Sequence, residues 1–374
     1  MAERYRRIRI SGDVGERSVE YGREARAEIH HTRRGYEQAF LAKGVTWARA
    51  TEIAREYLPV VQERLPQLVT EIEGIAAGSG LPVDDILAMN CRTEILWRAA
   101  ATSAAGITSA THFAECSSFA LEPDRTAAGT SLVGQNWDWL DVLADGVVLL
   151  EVDRPDGPNY VTIVEAGLLA KTALTGAGLA LGINTLASSV DGGPGVPFHF
   201  LIRAAIDCAH AADVVELLAS LPRASSGNFV VGTADGAVLN IETGAGDART
   251  VQPVIAENGA VVHTNHFVRQ PVGAYDLAPL AMADSFVRYG RMTRLIASRL
   301  DPLEIQELQS ALADHADAPS GVCCHPDERS PRAAQWATLF GAVLNPARRE
   351  LHVAEGNPCE TPWVRYDYSG LLSS

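Results

Sequence analysis

Around residues 99–116 the hydrophobic pattern of the chain changes its period, and this switch limits what the chain can fold into. Upstream, the segment from His31 to about Arg98 is rich in Ala, Glu, Leu and Arg. Within it, from Arg55 to Gly80, apolar residues recur every three or four positions, as an amphipathic helix requires. Pro59 and Pro66 kink that stretch or divide it into shorter helices. Gly78-Ser79-Gly80 is a stop, and Leu81-Pro82-Val83-Asp84-Asp85 restarts a helix through Asn90 and Ile95. A short strand, Tyr5 to Ile10, precedes all of this. The stretch Ala99–Phe113 is small, polar and aperiodic, which suits an exposed connector.

Downstream, short apolar runs are separated by Gly, Asp, Asn and Pro, the pattern of strands joined by turns. The runs are Ser117–Leu121, Ser131–Asn136, Val147–Val152, Tyr160–Val164 and Leu179–Ile183, then Asn228–Gly232, Ala237–Thr243 and Val261–Asn265. Two last strands are expected at Thr338–Leu344 and Glu350–Glu355. A helix is expected at Pro197–Leu221, carrying His199, Cys208 and His210, and a helix pair at about Met282–Asp314. Runs of strands among groups of helices predict an α+β body of two sheets covered by helices.

Composition narrows the function classes. With 31 basic and 46 acidic residues the net charge is -15, which argues against nucleic acid or an anionic membrane as partner. No stretch approaches 18 apolar residues, so no membrane span is expected. The opening MAERYRRIRISGD has no apolar stretch of the kind a secretory signal needs. Six cysteines without a CxxC pair read as free thiols in a reducing cytoplasm. Nucleotide-binding glycine loops, HExxH and the calcium-binding loop are all missing, so no cofactor and no metal are expected.

Four constellations carry potential chemistry. Cys323-Cys324-His325 looks metal-like, but neighbouring side chains on a strand face opposite ways and do not easily share an ion. His263 and His266 stand three apart at a strand end with no third ligand in view, so turn-forming histidines are the favoured reading. His199 and His210 are too far apart on one helix to share a site simply. Cys116 opens a strand, and a second strand ends in Gly134-Gln135-Asn136-Trp137-Asp138. If the two pair as a hairpin, Asp138 comes close to the Cys116 thiol. On these residues alone a buried, inert cysteine is the competing reading.

An ordered set of motifs adds to this. Asn90-Cys91-Arg92-Thr93-Glu94, Glu115-Cys116-Ser117-Ser118-Phe119 and Gly134-Gln135-Asn136-Trp137-Asp138 come first. Gly182-Ile183-Asn184-Thr185-Leu186, Ser225-Ser226-Gly227-Asn228-Phe229, His263-Thr264-Asn265-His266-Phe267 and Gly356-Asn357-Pro358-Cys359 follow. Together they resemble the acyl-CoA:6-aminopenicillanic acid acyltransferase family, whose wider clan includes bile-salt hydrolases, penicillin V acylases and acid ceramidase.

The resemblance implies an N-terminal-nucleophile hydrolase, a four-layer α-β-β-α sandwich made as a precursor that cuts itself between Glu115 and Cys116. Residues 1–115 become an α chain and residues 116–374 a β chain, both belonging to one domain. It further implies that Cys116 is the nucleophile and that its freed α-amine is the general base, steadied by Asp138. Asn265 and Asn184 are implied as oxyanion-hole donors, and Arg288 as an arginine that steadies the nucleophile. One residue departs from the pattern: the family has glycine before the nucleophile, and this chain has Glu115.

The activity implied is hydrolysis of a small N-acyl amide, or transfer of its acyl group, through a Cys116 thioester. Acyl-CoA is the co-substrate such a site admits, and a homo-oligomer is compatible with it. Hydrolysis of β-alanyl amines is a nearby alternative. An uncleaved, non-catalytic scaffold is a different class, and a zinc-dependent hydrolase a third. Each predicts a distinct result from a gel, a thiol probe or a chelator.

Overall fold

The computed structural model describes residues 4–102 and 115–373. Most of the connector expected at 99–113 lies outside them, and its first residues belong instead to a helix, Arg92–Thr102. Among the described residues, fourteen strands form two sheets. In chain order they are β1 (Arg6–Ser11), β2 (Glu115–Leu121), β3 (Leu132–Leu140), β4 (Val147–Asp153), β5 (Tyr160–Glu165), β6 (Thr172–Thr175) and β7 (Leu179–Thr185). Then come β8 (Gly227–Thr233), β9 (Val238–Thr243), β10 (Val251–Val254), β11 (Ala260–His263), β12 (Trp336–Asn345), β13 (Glu350–Ala354) and β14 (Trp363–Asp367).

One sheet runs β1-β4-β5-β6-β7-β8-β9-β10 and the other β11-β2-β3-β12-β13-β14. Among these strands the β1–β4 pair is parallel and the other ladders of the described residues are antiparallel. The faces of the two sheets meet where β2 and β3 pack on β7 and β8. Helices Val14–Glu24, Arg26–Ala42 and Ala211–Ser220 cover the far side of the first sheet. Helices Asp284–Met292 and Ile305–Leu312 cover the far side of the second. The layers are therefore α-β-β-α, as expected.

Burial explains which strands the sequence showed clearly. Every residue of β3, β5, β7 and β8 is buried, because both faces of those strands are covered, so apolar residues stand side by side in them (Phe229-Val230-Val231 in β8) among buried polar ones such as Gln135 and Asn184. Edge strand β1 alternates instead, with Ile8 and Ile10 inward and arginines outward. The strands β6, β10 and β14 escape the sequence reading, being only four or five residues long with mixed polarity. Helix Val14–Glu24 also escapes it. It begins with a capping box, in which the Asp13 carboxylate accepts from the Glu16 N–H and Glu16 reaches back to the Asp13 N–H. The expected helix at Pro197–Leu221 is two helices, Phe198–Ala205 and Ala211–Ser220. Cys208 lies between them and His210 is the N-cap of the second.

Polar groups join the two sheets. Gln135 on β3 accepts from the Ile183 N–H at 3.0 Å and from Thr172 Oγ1 at 2.6 Å, and its amide donates to the Ile183 carbonyl. Gly134 beside it is required by close approach. A Cβ there would meet the Phe119 ring at 2.1 Å, and Phe119 is its partner in the β2–β3 ladder. Among the described residues no helix is long and apolar enough to cross a membrane. Gly134→Ala is expected to lower stability by about 1–3 kcal/mol, read as a lower urea midpoint at unchanged slope, with Phe119→Leu in the same chain recovering part of the loss.

Candidate active site

The β2–β3 ladder sets the geometry. Cys116 stands opposite Trp137 and Glu115 opposite Asp138, so the start of β2 meets the end of β3 as the hairpin expectation required. β2 lies inside its sheet, between β11 and β3, and Cys116 is fully buried.

Residues from four distant segments converge on this cysteine. The Cys116 N–H donates to Asn265 Oδ1 at 2.6 Å. The Cys116 carbonyl accepts from Arg288 Nη1 at 2.8 Å and from Asn184 Nδ2 at 3.3 Å. Arg288 also donates to Asn265 Oδ1 at 3.0 Å and to Ser117 Oγ at 3.2 Å, and it is held by Asp284 at 2.8 Å. Asn184 Oδ1 accepts from Ser118 Oγ at 2.6 Å and from Asn228 Nδ2 at 3.0 Å. Asp138 accepts from Thr338 Oγ1 at 2.6 Å.

Asn265 differs from its expected role. Its oxygen faces the cysteine and takes two donors, while its amide nitrogen donates away, to the Thr185 carbonyl at 2.9 Å. That partner set fixes which end of the amide is oxygen. In this state Asn265 is an acceptor for the Cys116 nitrogen rather than an oxyanion donor. Asn184 and Arg288 present N–H groups, and both are spent on the carbonyl of Cys116 itself.

Electrostatics keep the thiol protonated. Burial pushes Cys116 up to about 12, the Asp138 charge adds to that, and Lys171 and Arg288 oppose it. Lys171 was not visible as a site residue in the sequence. It is fully buried, 3.1 Å from Glu165, and its ammonium lies 3.2 Å from the centroid of the Trp137 ring. Burial, followed by the Arg92 charge, lowers the Lys171 pKa well below its usual range. Arg92 stacks on Trp139 at 3.8 Å. Thr338 was also missed. It comes from β12 and orients Asp138, a role set entirely by sheet pairing.

The other motif residues hold the frame. The Glu94 carboxylate accepts from the Phe198 N–H at 2.9 Å, at the start of helix Phe198–Ala205, and burial raises it to about 7. Ser226 donates to Asp191 at 2.7 Å. His263 pairs with Glu242 at 2.8 Å, and His266 stacks on Phe286 with Nδ1 at 2.8 Å from Ser285 Oγ. These two histidines thus serve separate contacts. A cavity of about 540 Å³ opens past the end of β3, lined by Trp139, Leu140, Leu96, Trp336, Cys324 and Pro319 among others.

Burial, followed by the charges of His263 and Arg288, lowers His266 to about 4. The unfolded chain, with an ordinary histidine at 6.5, then binds more protons between pH 4 and 6.5, so stability falls as pH drops through that window. His266→Gln is expected to cost about 2 kcal/mol more at pH 7 than at pH 5, measured as the difference in urea unfolding free energy from wild type at each pH.

Comparison with known proteins follows the same lines. A family model described as acyl-coenzyme A:6-aminopenicillanic acid acyl-transferase matches residues 125–360. The acyl-coenzyme A:6-aminopenicillanic-acid-acyltransferase 40 kDa form of Emericella nidulans is 29% identical over 315 residues, covering 84% of this chain and 82% of that protein. Among solved structures, a variant of conjugated bile acid hydrolase from Clostridium perfringens is 11% identical at a TM-score of 0.48, covering 69% of this chain and 94% of that one. Penicillin V acylase from Agrobacterium tumefaciens is 14% identical at a TM-score of 0.44, covering 69% and 88%.

Proposed function

The chain belongs to the acyl-coenzyme A:6-aminopenicillanic acid acyl-transferase family, and on that premise we propose that it is a self-processing cysteine enzyme that cuts a small amide or passes its acyl group on. The observation that carries this reading is the convergence of Asn184, Asn265 and Arg288 on the backbone N–H and carbonyl of one cysteine, with Asp138 beside its thiol. A merely structural cysteine needs no such grip on its own peptide groups.

In the uncut chain the Cys116 sulfur attacks the Glu115 carbonyl carbon. The Cys116 nitrogen leaves and takes a proton, and Glu115 is carried as a thioester on the sulfur. Water then releases the Glu115 carboxylate and the thiol. Residues 1–115 and 116–374 become α and β chains of one body. A thiol held near 12 is almost wholly protonated at neutral pH, so it needs a base. Cleavage supplies one: a free α-amine titrates near 7.7–8.0 and sits on the atom that Asn265 already accepts from.

In the mature site the amine takes the thiol proton, and the thiolate attacks the substrate carbonyl. The departing amine receives that proton, leaving an acyl thioester. Water or an acceptor amine completes the cycle. With acyl-CoA as donor, the CoA thiol is the group that departs. Asp138, fixed by Thr338, orients the new amine, and Arg288 holds the Cys116 backbone against recoil. The cavity past β3 is large enough for a small acyl or amine group.

The test is maturation beside activity. Divided in proportion to length, the 39.9 kDa chain yields pieces of about 12 and 28 kDa. Wild type is expected to show both on a denaturing gel, with intact mass placing the new terminus at Cys116. Cys116→Ala should stay whole and release no CoA thiol from acyl-CoA. Glu115→Gly should speed the cut, because glycine tolerates the strained backbone that a breaking bond adopts. An uncut wild type with an unreactive Cys116 sinks the proposal.

A further inference from the structure

Two hydrogen bonds beyond Asp138 lies a second group of chemistry-bearing side chains. Asp138 accepts from Thr338 Oγ1, which in turn accepts from the Cys324 N–H at 2.8 Å. Around that point His315, Cys323, His325 and Cys359 bring one donor atom each to within 4.8 Å of all the others. We propose that these four side chains are a structural zinc site of the two-cysteine, two-histidine type.

Four of the six edges come close to those of a tetrahedron, and the other two, from His315 to the sulfurs, lie within 4.8 Å. With Zn–S bonds of about 2.3 Å and Zn–N bonds of about 2.0–2.1 Å, the edges are about 3.8 Å between sulfurs, 3.5 Å between sulfur and nitrogen, and 3.4 Å between nitrogens. The two sulfurs here lie 3.6 Å apart. His325 Nε2 lies 3.5 Å from Cys323 Sγ and 3.3 Å from Cys359 Sγ, and 3.1 Å from His315 Nε2.

Hydrogen bonding alone does not account for the cluster. One imidazole nitrogen makes one hydrogen bond, as donor or as acceptor, yet His325 Nε2 faces three partners. A cation at the centre of the four satisfies all of them at once. Two sulfurs and two imidazoles select a borderline-soft, tetrahedral ion, and the donor set contains no oxygen for calcium or magnesium.

The surroundings match a built metal site. Asn357 donates to Cys323 Sγ at 3.5 Å and to the Cys324 carbonyl at 2.7 Å. Glu360 stands 3.9 Å from His325 Nδ1, the ring nitrogen facing away from the cluster. Adjacent Cys323 and Cys324 do divide their duties, although the segment that carries them is bend and coil rather than the strand the sequence suggested. The sequence-based objection to a metal fails because the ligands that complete the set come from elsewhere: His315 beyond helix Ile305–Leu312 and Cys359 beyond β13. Four protein donors leave no open position, so the ion fastens rather than catalyses. It ties together the segment that supplies Pro319, Ser320, Cys324 and His325 to the cavity wall.

The test uses the full chain carrying no histidine tag, loaded with zinc, passed through gel filtration and measured by elemental mass spectrometry. Wild type is expected to retain about one zinc per chain, and Cys359→Ser and His315→Gln below about 0.1. Cobalt-loaded wild type should show the visible bands and thiolate charge transfer of a tetrahedral site. Both substituted residues are accessible to solvent or nearly so, and circular dichroism confirms that the variants fold; the cobalt spectrum of wild type stands independently of them. Zinc below about 0.1 in wild type, or full zinc in both variants, overturns the proposal. So does a non-reduced wild-type mass lower by two hydrogens with the Cys323 and Cys359 peptides linked, which would make the pair a disulfide.

Discussion

The two sheets are joined by hydrogen bonds as well as by hydrocarbon, and the rest of the structure depends on that seam. Gln135 reaches from β3 to the backbone of β7 and to Thr172 on β6. Ser118, opposite Gln135 in the β2–β3 ladder, meets Asn184 on β7, which touches both Cys116 and Asn228. A buried polar group without a partner costs about 1–3 kcal/mol, so these side chains admit one relative placement of the sheets and oppose sliding. The atoms that fix the sheets are thus the neighbours of the atoms that would react. Stability and the position of Cys116 are set by one network.

Buried charge is the second organising element. Arg92, Lys171 and Glu165 lie in the interior among Tyr36, Trp137 and Trp139. Burial alone raises the Glu165 carboxyl, yet Lys171 and Arg92 outweigh it and hold it below the usual range. Such a cluster is costly to assemble unless each ion has a partner. Here the aromatic faces and Glu165 supply partners, and Lys171 lies close enough to offset part of the rise that burial gives the Cys116 thiol.

Much of this was legible in the chain. Both sheets, the layered body and the segments bearing Cys116, Asp138, Asn184, Asn265 and Arg288 follow from short islands of sequence, because local pattern reports strands buried on both faces. What escaped has a common physical origin. Lys171 and Thr338 matter only through neighbours brought from far along the chain, and nothing in their own segments marks them. The direction in which Asn265 points is decided by Arg288 and Thr185, so no motif could report it. His315, Cys323, His325 and Cys359 are spaced without period, since two separate loops deliver them. Helix Val14–Glu24 is mostly polar and shows its start only through Asp13 and Glu16.

The placement of β1 has a consequence for a chain severed before Cys116. β1 belongs to the N-terminal piece yet pairs with β4 of the other, and helix Arg26–Ala42 of the first piece packs on β5 of the second. Two such pieces would stay joined through these contacts with no covalent tie. Once melted apart, the halves must find each other by diffusion, so recovery becomes dilution-dependent where the unbroken precursor would recover alone. Maturation would leave the molecule as a record of its own first folding, well kept while intact and hard to rewrite afterwards.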